Sequence, residues 1–331
     1  MRLNLLTASA LLILILPISV SAQSLENSAG DAPFTVSVNP QYPAPYSQAS
    51  LSFLSASLDL TNALLAVSVA GKETYRGTVQ PVGITLGKAG SATNVKVTIS
   101  SGGVNYTQTI FIQPQDVAII AEPISSAPPL YPGTPLIPLE GSVRVVAVAN
   151  LRDARGKTLD PSTLSYAWTV DTTQIANSSG IGKMAIMVAS PLQYRARSVS
   201  VAVTSQNGSL VGGASLSLTA KEPLVRIYRN DPLLGIRFNH ALSGEYPIAG
   251  AETALYAAPF SLPTAVGAPL LQWFLDGSPA QTGNAITLRP TGSGQGNASL
   301  SLVASAGNST TATANLSLSF GAKPGFNIFG L

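Results

Sequence analysis

The sequence predicts an all-β chain: three tandem β-sandwiches behind an N-terminal signal peptide. Three observations carry this reading. One strand pattern recurs, as LLAVSVAG (64–71), SYAWTVDT (165–172) and LLQWFLDG (270–277). Val67, Trp168 and Trp273 hold the equivalent place, 101 and then 105 residues apart, and about 100 residues is the length of one two-sheet sandwich. In these and neighbouring segments apolar and polar residues alternate, the period of a strand buried on one face. Finally, 45% of the 331 residues are hydrophobic but only 6% aromatic and 10% charged, with 29 Gly and 24 Pro. Cores are then built from Val, Leu, Ile and Ala. The Ser-, Thr-, Gly- and Pro-rich remainder suits short strands and turns rather than long amphipathic helices.

Residues 1–22 read as a signal peptide. Arg2 gives a positive start, 5–20 is apolar apart from Thr7, Ser9 and Ser19, and Val20 and Ala22 occupy the −3 and −1 places of a cleavage site after Ala22. The run is shorter than the roughly 20 apolar residues a spanning helix needs; retained, it would be the chain's one membrane contact. Residues 23–33 are a polar, flexible lead. The chain is thus expected to be exported, to the periplasm, the cell surface or the medium.

The first sandwich is placed at 34–114. Phe34, Val36 and Val38 alternate until Pro40; Leu51 and Phe53 mark a second strand; Leu65, Val67 and Val69 line the key strand; Val95, Val97 and Ile99 alternate again before a long last strand, 104–112. The second, 115–221, repeats the order. A proline-dense loop, SSAPPLYPGTPLIP (125–138), is extended and cannot be a central strand. Val143, Val145 or Val146, Val148, Trp168, Val199, Val201 and Val203 mark its strands, and Asn207-Gly208 its last hairpin, read as a turn of positive φ. The third, 222–320, contains a long, less regular insert at 233–250, then Leu255, Leu271, Trp273 and Leu275, an Asp276-Gly277 turn, and Leu300, Leu302, Leu316 and Leu318. Junctions near 113–116 and 220–223 are short, which predicts a semi-rigid rod.

The chemistry-bearing residues are sparse. Cys is absent, which removes disulfides, thiolate metal sites and thiol catalysis; a cysteine-free exported chain points to a bacterial source. Losing Arg2 with the leader leaves 17 Lys and Arg against 15 Asp and Glu, spread singly, with no basic stripe for nucleic acid. His240 is the one His and has no nucleophile motif beside it. Asp153, Asp160 and Asp171 form the one local acid grouping, but Arg152, Arg155 and Lys157 interrupt it, so they read as turn and cap residues rather than calcium ligands. No cofactor, metal or catalytic set is expected, and the chain reads as a non-enzyme. The N-x-S/T triplets at Asn105, Asn177, Asn207, Asn297, Asn308 and Asn315 are incidental in so Ser/Thr-rich a chain.

Two segments stand out as candidates for partner docking. Residues 225–246 concentrate Arg226, Arg229, Asp231, Arg237, His240 and Glu245 in a charge-poor chain; they form either a docking surface or a loop capping the sandwich. The tail 321–331 ends on apolar Phe326, Ile328, Phe329 and Leu331. It either adds as a strand to a partner's sheet edge or folds back on the third sandwich.

GKTLDPSTLSYAWTVD (156–171) resembles the approach to the Trp strand of PKD-like and other bacterial immunoglobulin-like domains, and WFLDG (273–277) resembles their Trp strand and tight turn. The resemblance covers nearly the whole mature chain. The WDFGDG-type run of stricter PKD domains is absent: Thr169-Val170-Asp171 follows Trp168, and Phe274-Leu275-Asp276 follows Trp273. It implies a spacer, adhesion module or subunit of a surface assembly. The expected function is a structural or interaction protein of the bacterial cell envelope, with another envelope or surface protein as partner; the alternative is an adhesin or carbohydrate-binding module.

Overall fold

The computed structural model describes residues 33–248, 250–291, 295–307 and 309–321. The expected signal peptide, and Phe326, Ile328, Phe329 and Leu331 of the tail, lie outside these residues.

The first repeat runs β1 (Thr35–Asn39), β2 (Gln48–Leu54), β3 (Leu64–Val69), β4 (Lys72–Thr78), β5 (Val82–Thr85), β6 (Thr93–Ser101) and β7 (Val104–Ile112). The second runs β8 (Asp116–Pro123), β9 (Ser142–Asn150), β10 (Ser165–Val170), β11 (Thr173–Gln174), β12 (Gly180–Ile181), β13 (Ala185–Ala189), β14 (Ala196–Thr204) and β15 (Val211–Thr219). The third runs β16 (Leu224–Asp231), β17 (Gly235–Leu242), β18 (Gly244–Ile248), β19 (Thr253–Phe260), β20 (Leu270–Leu275), β21 (Ser278–Thr282), β22 (Ala285–Leu288), β23 (Gly296–Ala306) and β24 (Thr310–Phe320). Each repeat contributes two sheets. One keeps a three-strand frame, β1-β2-β5, β8-β9-β13 and β16-β19-β22; the other is built on β3-β6-β7, β10-β14-β15 and β20-β23-β24. This is the tandem immunoglobulin-like sandwich architecture that the alternation predicts.

The triplicate register holds residue by residue. Val67 lies opposite Val97, Trp168 opposite Val201 and Trp273 opposite Leu302. All six are buried. Each indole donates its Nε1 hydrogen to a backbone carbonyl, Trp168 to Lys183 at 2.8 Å and Trp273 to Gly283 at 2.9 Å, so neither ring strands a polar atom in its core. A buried Trp removes ~200 Å² from water, a gross gain on the order of 5 kcal/mol. The first repeat has only Val67 at this place.

The turn after the key strand is triplicate too. Ala70, Asp171 and Asp276 have φ of 50°, 56° and 48°, and their N–H groups donate to the carbonyls of Asn94, Ser198 and Ser299. Asp tolerates this left-handed backbone better than Ala. In the second and third repeats its Oδ1 also accepts the N–H of Ser198 (3.0 Å) or Ser299 (2.7 Å), clamping the turn to the next strand.

Two expectations need correction. The insert is regular over 235–248: β17 extends one sheet beyond β16, and β18 crosses to the other sheet and pairs in parallel with β24. Its strand character escaped notice because Pro232, Gly235, Gly244 and Pro247 punctuate it. In the Asn207-Gly208 hairpin only Gly208 has positive φ (72°). Asn207 acts through its side chain, whose Oδ1 accepts from Ser209 N and Oγ and from Ser205 Oγ.

The chain divides into two compact units, one of residues 33–37, 51–82 and 93–112, the other of 38–50, 83–92 and 113 onward. In the first, Val36, Leu51 and Phe53 of one sheet and Leu65, Val67, Val95, Val97 and Ile99 of the other are buried. Within the second unit, segments of the first repeat are tied to the second. Gly90 donates to the Pro114 carbonyl (2.9 Å) at the junction, and a Cβ on it would run into the Arg152 and Asp153 carbonyls of the second repeat. A Cβ on Gly213 would run into the Tyr42 ring, so only glycine admits that ring against β15.

The second and third repeats, both in the second unit, are joined by more than a short linker. The proline-dense segment reaches the turn after β19: Ser126 N–H donates to Leu262 O (2.8 Å), Ser261 N–H to Ser126 O (3.0 Å), Thr264 N–H to Ile124 O (3.2 Å), and Leu262 N–H to Ser126 Oγ (3.1 Å). Ser261 is fully buried, with φ of 59°. Its hydroxyl lies 2.9 Å from the Lys221 carbonyl and 3.2 Å from that of Ile137. Tyr131 packs edge-on against Phe260, ring centres 5.8 Å apart. At a second place, the Glu140 carboxylate, just before β9, accepts the hydroxyls of Ser309 and Thr310 at the β23–β24 turn, each at 3.0 Å.

Candidate functional site

The charged segment singled out in the sequence forms the β16–β17 hairpin of the third repeat. Val225 and Ile227 turn inward to the core with Leu255, Ala257 and Trp273. The hairpin register runs Ile227 to Leu242, Tyr228 to Ala241, then shifts to Asn230 opposite Ile236 and Asp231 opposite Gly235. Residues 237–240 therefore bulge opposite Arg229. The bulge carries Phe238 onto the outer face of the sheet, edge-on to Tyr228 (5.3 Å) and Tyr256 (6.1 Å). Such aromatic pairs fix the hairpin's direction beyond simple area burial.

The tip is Asp231-Pro232-Leu233-Leu234-Gly235. The Asp231 carboxylate accepts the N–H of Leu233 (3.0 Å) and of Leu234 (3.1 Å) through Oδ1, while Arg229 Nη2 lies 3.5 Å from Oδ2. Gly235 closes the turn at φ 71°. The two backbone N–H groups, and then the charges of Arg229 and Arg237, hold the Asp231 carboxyl below the usual carboxylate range. The turn is thus preorganised, and what it presents is apolar: Leu233 is 93% and Leu234 67% exposed. They are the one adjacent pair of large exposed apolar side chains among the described residues.

The structure brings Arg229, Asp231 and Arg237 together at this tip. Arg226 sits three residues farther down β16, opposite Ala258, His240 lies exposed on the bulge, and Glu245 belongs to the other sheet, opposite Ser317 of β24. Sequence reasoning missed the two leucines. The signal was available: an Asp-Pro…Gly turn should be polar at its centre, and this one is Leu-Leu.

The acid grouping of the second repeat is occupied by its own turns. Asp153 Oδ1 accepts from Arg155 N and Lys157 N, Asp160 Oδ1 from Ser162 N and Oγ, and Asp171 pairs with Arg197 at 3.4 Å as well as with Ser198 N. No group of three or more His, Asp or Glu converges among the described residues. A shallow trough of about 740 Å³ lies on the outer face of β18, β24 and β23, lined by Glu245, Asp276, Asn297, Ser299, Asn315 and Ser317. Its two acids come from opposite sides of the trough, Glu245 on β18 and Asp276 after β20, and the Asp276 carboxylate is already held by the Ser299 N–H.

No family model and no curated protein matches the chain. Solved structures similar to it include three N-terminal domains of the highly immunogenic outer capsid protein (Hoc) of bacteriophage RB49, at 12% identity and TM-score 0.25, covering 88% of this chain and 99% of that one. Others are the central fibronectin-III array of RIM-binding protein, at 10% identity, TM-score 0.31, covering 87% and 96%, and the four N-terminal Ig domains of Dscam1, at 10%, TM-score 0.22, covering 87% and 73%. At these scores the superpositions carry no argument, and the fold assignment rests on the sheets themselves.

Proposed function

We propose that the chain is a non-enzymatic exported structural and interaction protein, a spacer or assembly subunit of the bacterial cell envelope that works by protein–protein contact. The PKD-like kinship, the removal of residues 1–22 and the boundaries at 114/115 and 221/222 belong to this proposal. The observation that carries it is the joint between the second and third repeats. Buried Ser261, Ser126 and the Glu140 carboxylate tie the repeats together at more than one place, which suits a module that holds ends at a fixed separation rather than one that bends around a substrate. Partner contact is assigned to the hairpin bearing Arg226, Arg229, Asp231 and Arg237 and to tail residues Phe326, Ile328, Phe329 and Leu331.

Because the chain has no Cys, spin labels can be placed at Ser209→Cys and Ser278→Cys without background. A narrow distance distribution that broadens in a Ser126→Ala/Glu140→Ala/Ser261→Ala background supports a rigid spacer; a broad distribution in the parent chain overturns it. Deleting residues 326–331 should abolish co-purification of the envelope complex, and an intact complex removes the tail from the proposal. The carbohydrate alternative has the trough in its favour, since its hydroxyls, amides and carboxylates can both donate to and accept from a sugar. It predicts oligosaccharide-induced shifts in the NMR signals of Asn297 and Asn315 that Asn315→Ala abolishes.

A further inference from the structure

We infer that the β16–β17 tip is an insertion point for an anionic lipid surface. This goes beyond the spacer reading and does not rest on it. Leu233 and Leu234 are presented by a turn that cannot fold them back, because the Asp231 carboxylate holds both of their N–H groups. The turn's ladder-side neighbours are basic: Arg229 on one strand and Arg237 on the other, each two residues below the last pair of the ladder, Asp231 and Gly235. At ~3.3 Å per residue that is about 7 Å below the end of the ladder. Apolar groups of peripheral anchors sit about 5–10 Å into the headgroup and acyl boundary. When the leucines reach that depth, both guanidiniums therefore lie at the level of the phosphates. Arg229 also offsets Asp231, so the one acid at the tip brings no uncompensated charge to the surface.

Lipid fits better than a protein edge. The bulge at 237–240 breaks the ladder a partner strand would need, while a projecting pair of leucines with a basic neck needs only a soft, anionic medium. The hairpin's rigidity adds to this: the Phe238–Tyr228–Tyr256 stack fixes its base, so little order is lost on insertion.

The test is co-sedimentation of the full mature chain with vesicles of 70% phosphatidylcholine and 30% phosphatidylglycerol, and with pure phosphatidylcholine. The chain should pellet with the anionic vesicles, less so at high salt, and hardly at all with the neutral ones. Leu233→Asp/Leu234→Asp should weaken binding at least tenfold while leaving intrinsic Trp fluorescence and the thermal midpoint unchanged, since neither side chain is packed. Arg237→Gln should weaken it about fivefold and flatten the salt dependence. A fluorophore on Leu233→Cys should shift to the blue on addition of anionic vesicles. Absence of binding by the parent chain, or binding indifferent to the double Asp substitution, overturns the inference. So does concentration-dependent self-association without vesicles that the same substitution removes, which would assign the tip to a second copy.

Discussion

The chain's two tryptophans fall one in each of the second and third repeats, at Trp168 and Trp273, and this makes the joint between those repeats directly measurable. Single-Trp variants, Trp168→Phe and Trp273→Phe, each report unfolding of one repeat by fluorescence. With the joint intact the two urea transitions should coincide once each is corrected for the stability lost with its indole. The perturbation is Ser126→Ala/Glu140→Ala/Ser261→Ala. Each hydroxyl or carboxylate removed loses about 1 kcal/mol of net hydrogen bonding, and a carbonyl left buried and unpaired raises this to about 1–3 kcal/mol. Ser261 is the costly one, because its hydroxyl is the side-chain donor to the Lys221 carbonyl in a fully buried setting. The three together remove roughly 3 kcal/mol of coupling. At about 1–3 kcal/mol per molar of urea, the less stable repeat should then melt 1–3 M earlier, and the two transitions should separate. Ser261→Gly provides an internal control. It loses the same hydroxyl but relieves a φ of 59°, worth about 1–2 kcal/mol for a residue with a Cβ, so it should be milder than Ser261→Ala. Well-separated transitions in the parent background, or a triple variant whose transitions still coincide, would refute the reasoning.

Further outcomes follow from the same geometry. Asp276→Ala should destabilise the third repeat by about 1–2 kcal/mol through loss of the Ser299 clamp, with Asp276→Asn close to neutral, read by Trp273 fluorescence in urea. Gly213→Val should shift the thermal midpoint down, because its side chain must occupy the space of the Tyr42 ring; a nearly unchanged midpoint would show that Tyr42 has another place to go. The Asp231 carboxyl titrates lower folded than unfolded, so its contribution to the tip is full above the ordinary Asp value and is lost as pH falls through the lowered one. Amide exchange at Leu233 and Leu234 should therefore be slow at pH 6 and accelerate, relative to other turns, below about pH 4.

What could be read from the sequence was what repeats. The alternation that places Val67, Trp168 and Trp273 inside also placed Val97, Val201 and Leu302 opposite them, because a period-two pattern with one buried face fixes register as well as side. Strands that bury little escaped. β4 (KETYRGT) and β21 (SPAQT) have hardly any apolar face, and both are edge strands, held by backbone pairing that leaves no mark on composition. The joint escaped for a related reason. Its acceptors and donors are largely backbone atoms and small hydroxyls, so Ser126 and Ser261 look like any serines in a chain full of them. The candidate hairpin was half legible: its charges stood out, while its leucines were hidden by the general hydrophobicity of the sequence and became visible only as a turn that leaves them in solvent.

The third repeat's extra strands cover the two sheet edges that its counterparts leave open. In the other repeats β1 and β8, the counterparts of β16, end one sheet, and β7 and β15, the counterparts of β24, end the other. In the third, β17 covers β16 and β18 covers β24, and the chain crosses between the sheets at Ser243 to do both. Each cover strand is then a poor template itself: β17 by its bulge, β18 by Pro247, which has no N–H to offer. A repeat that blunts both edges in this way nevertheless leaves two adjacent leucines in water at the β16–β17 turn. Edge protection accounts for the strands but not for the leucines, since Ser or Asn would close the turn as well. The leucines are therefore what the lipid-insertion proposal has to explain, and the Leu233→Asp/Leu234→Asp variant is the test that separates that role from an incidental turn sequence.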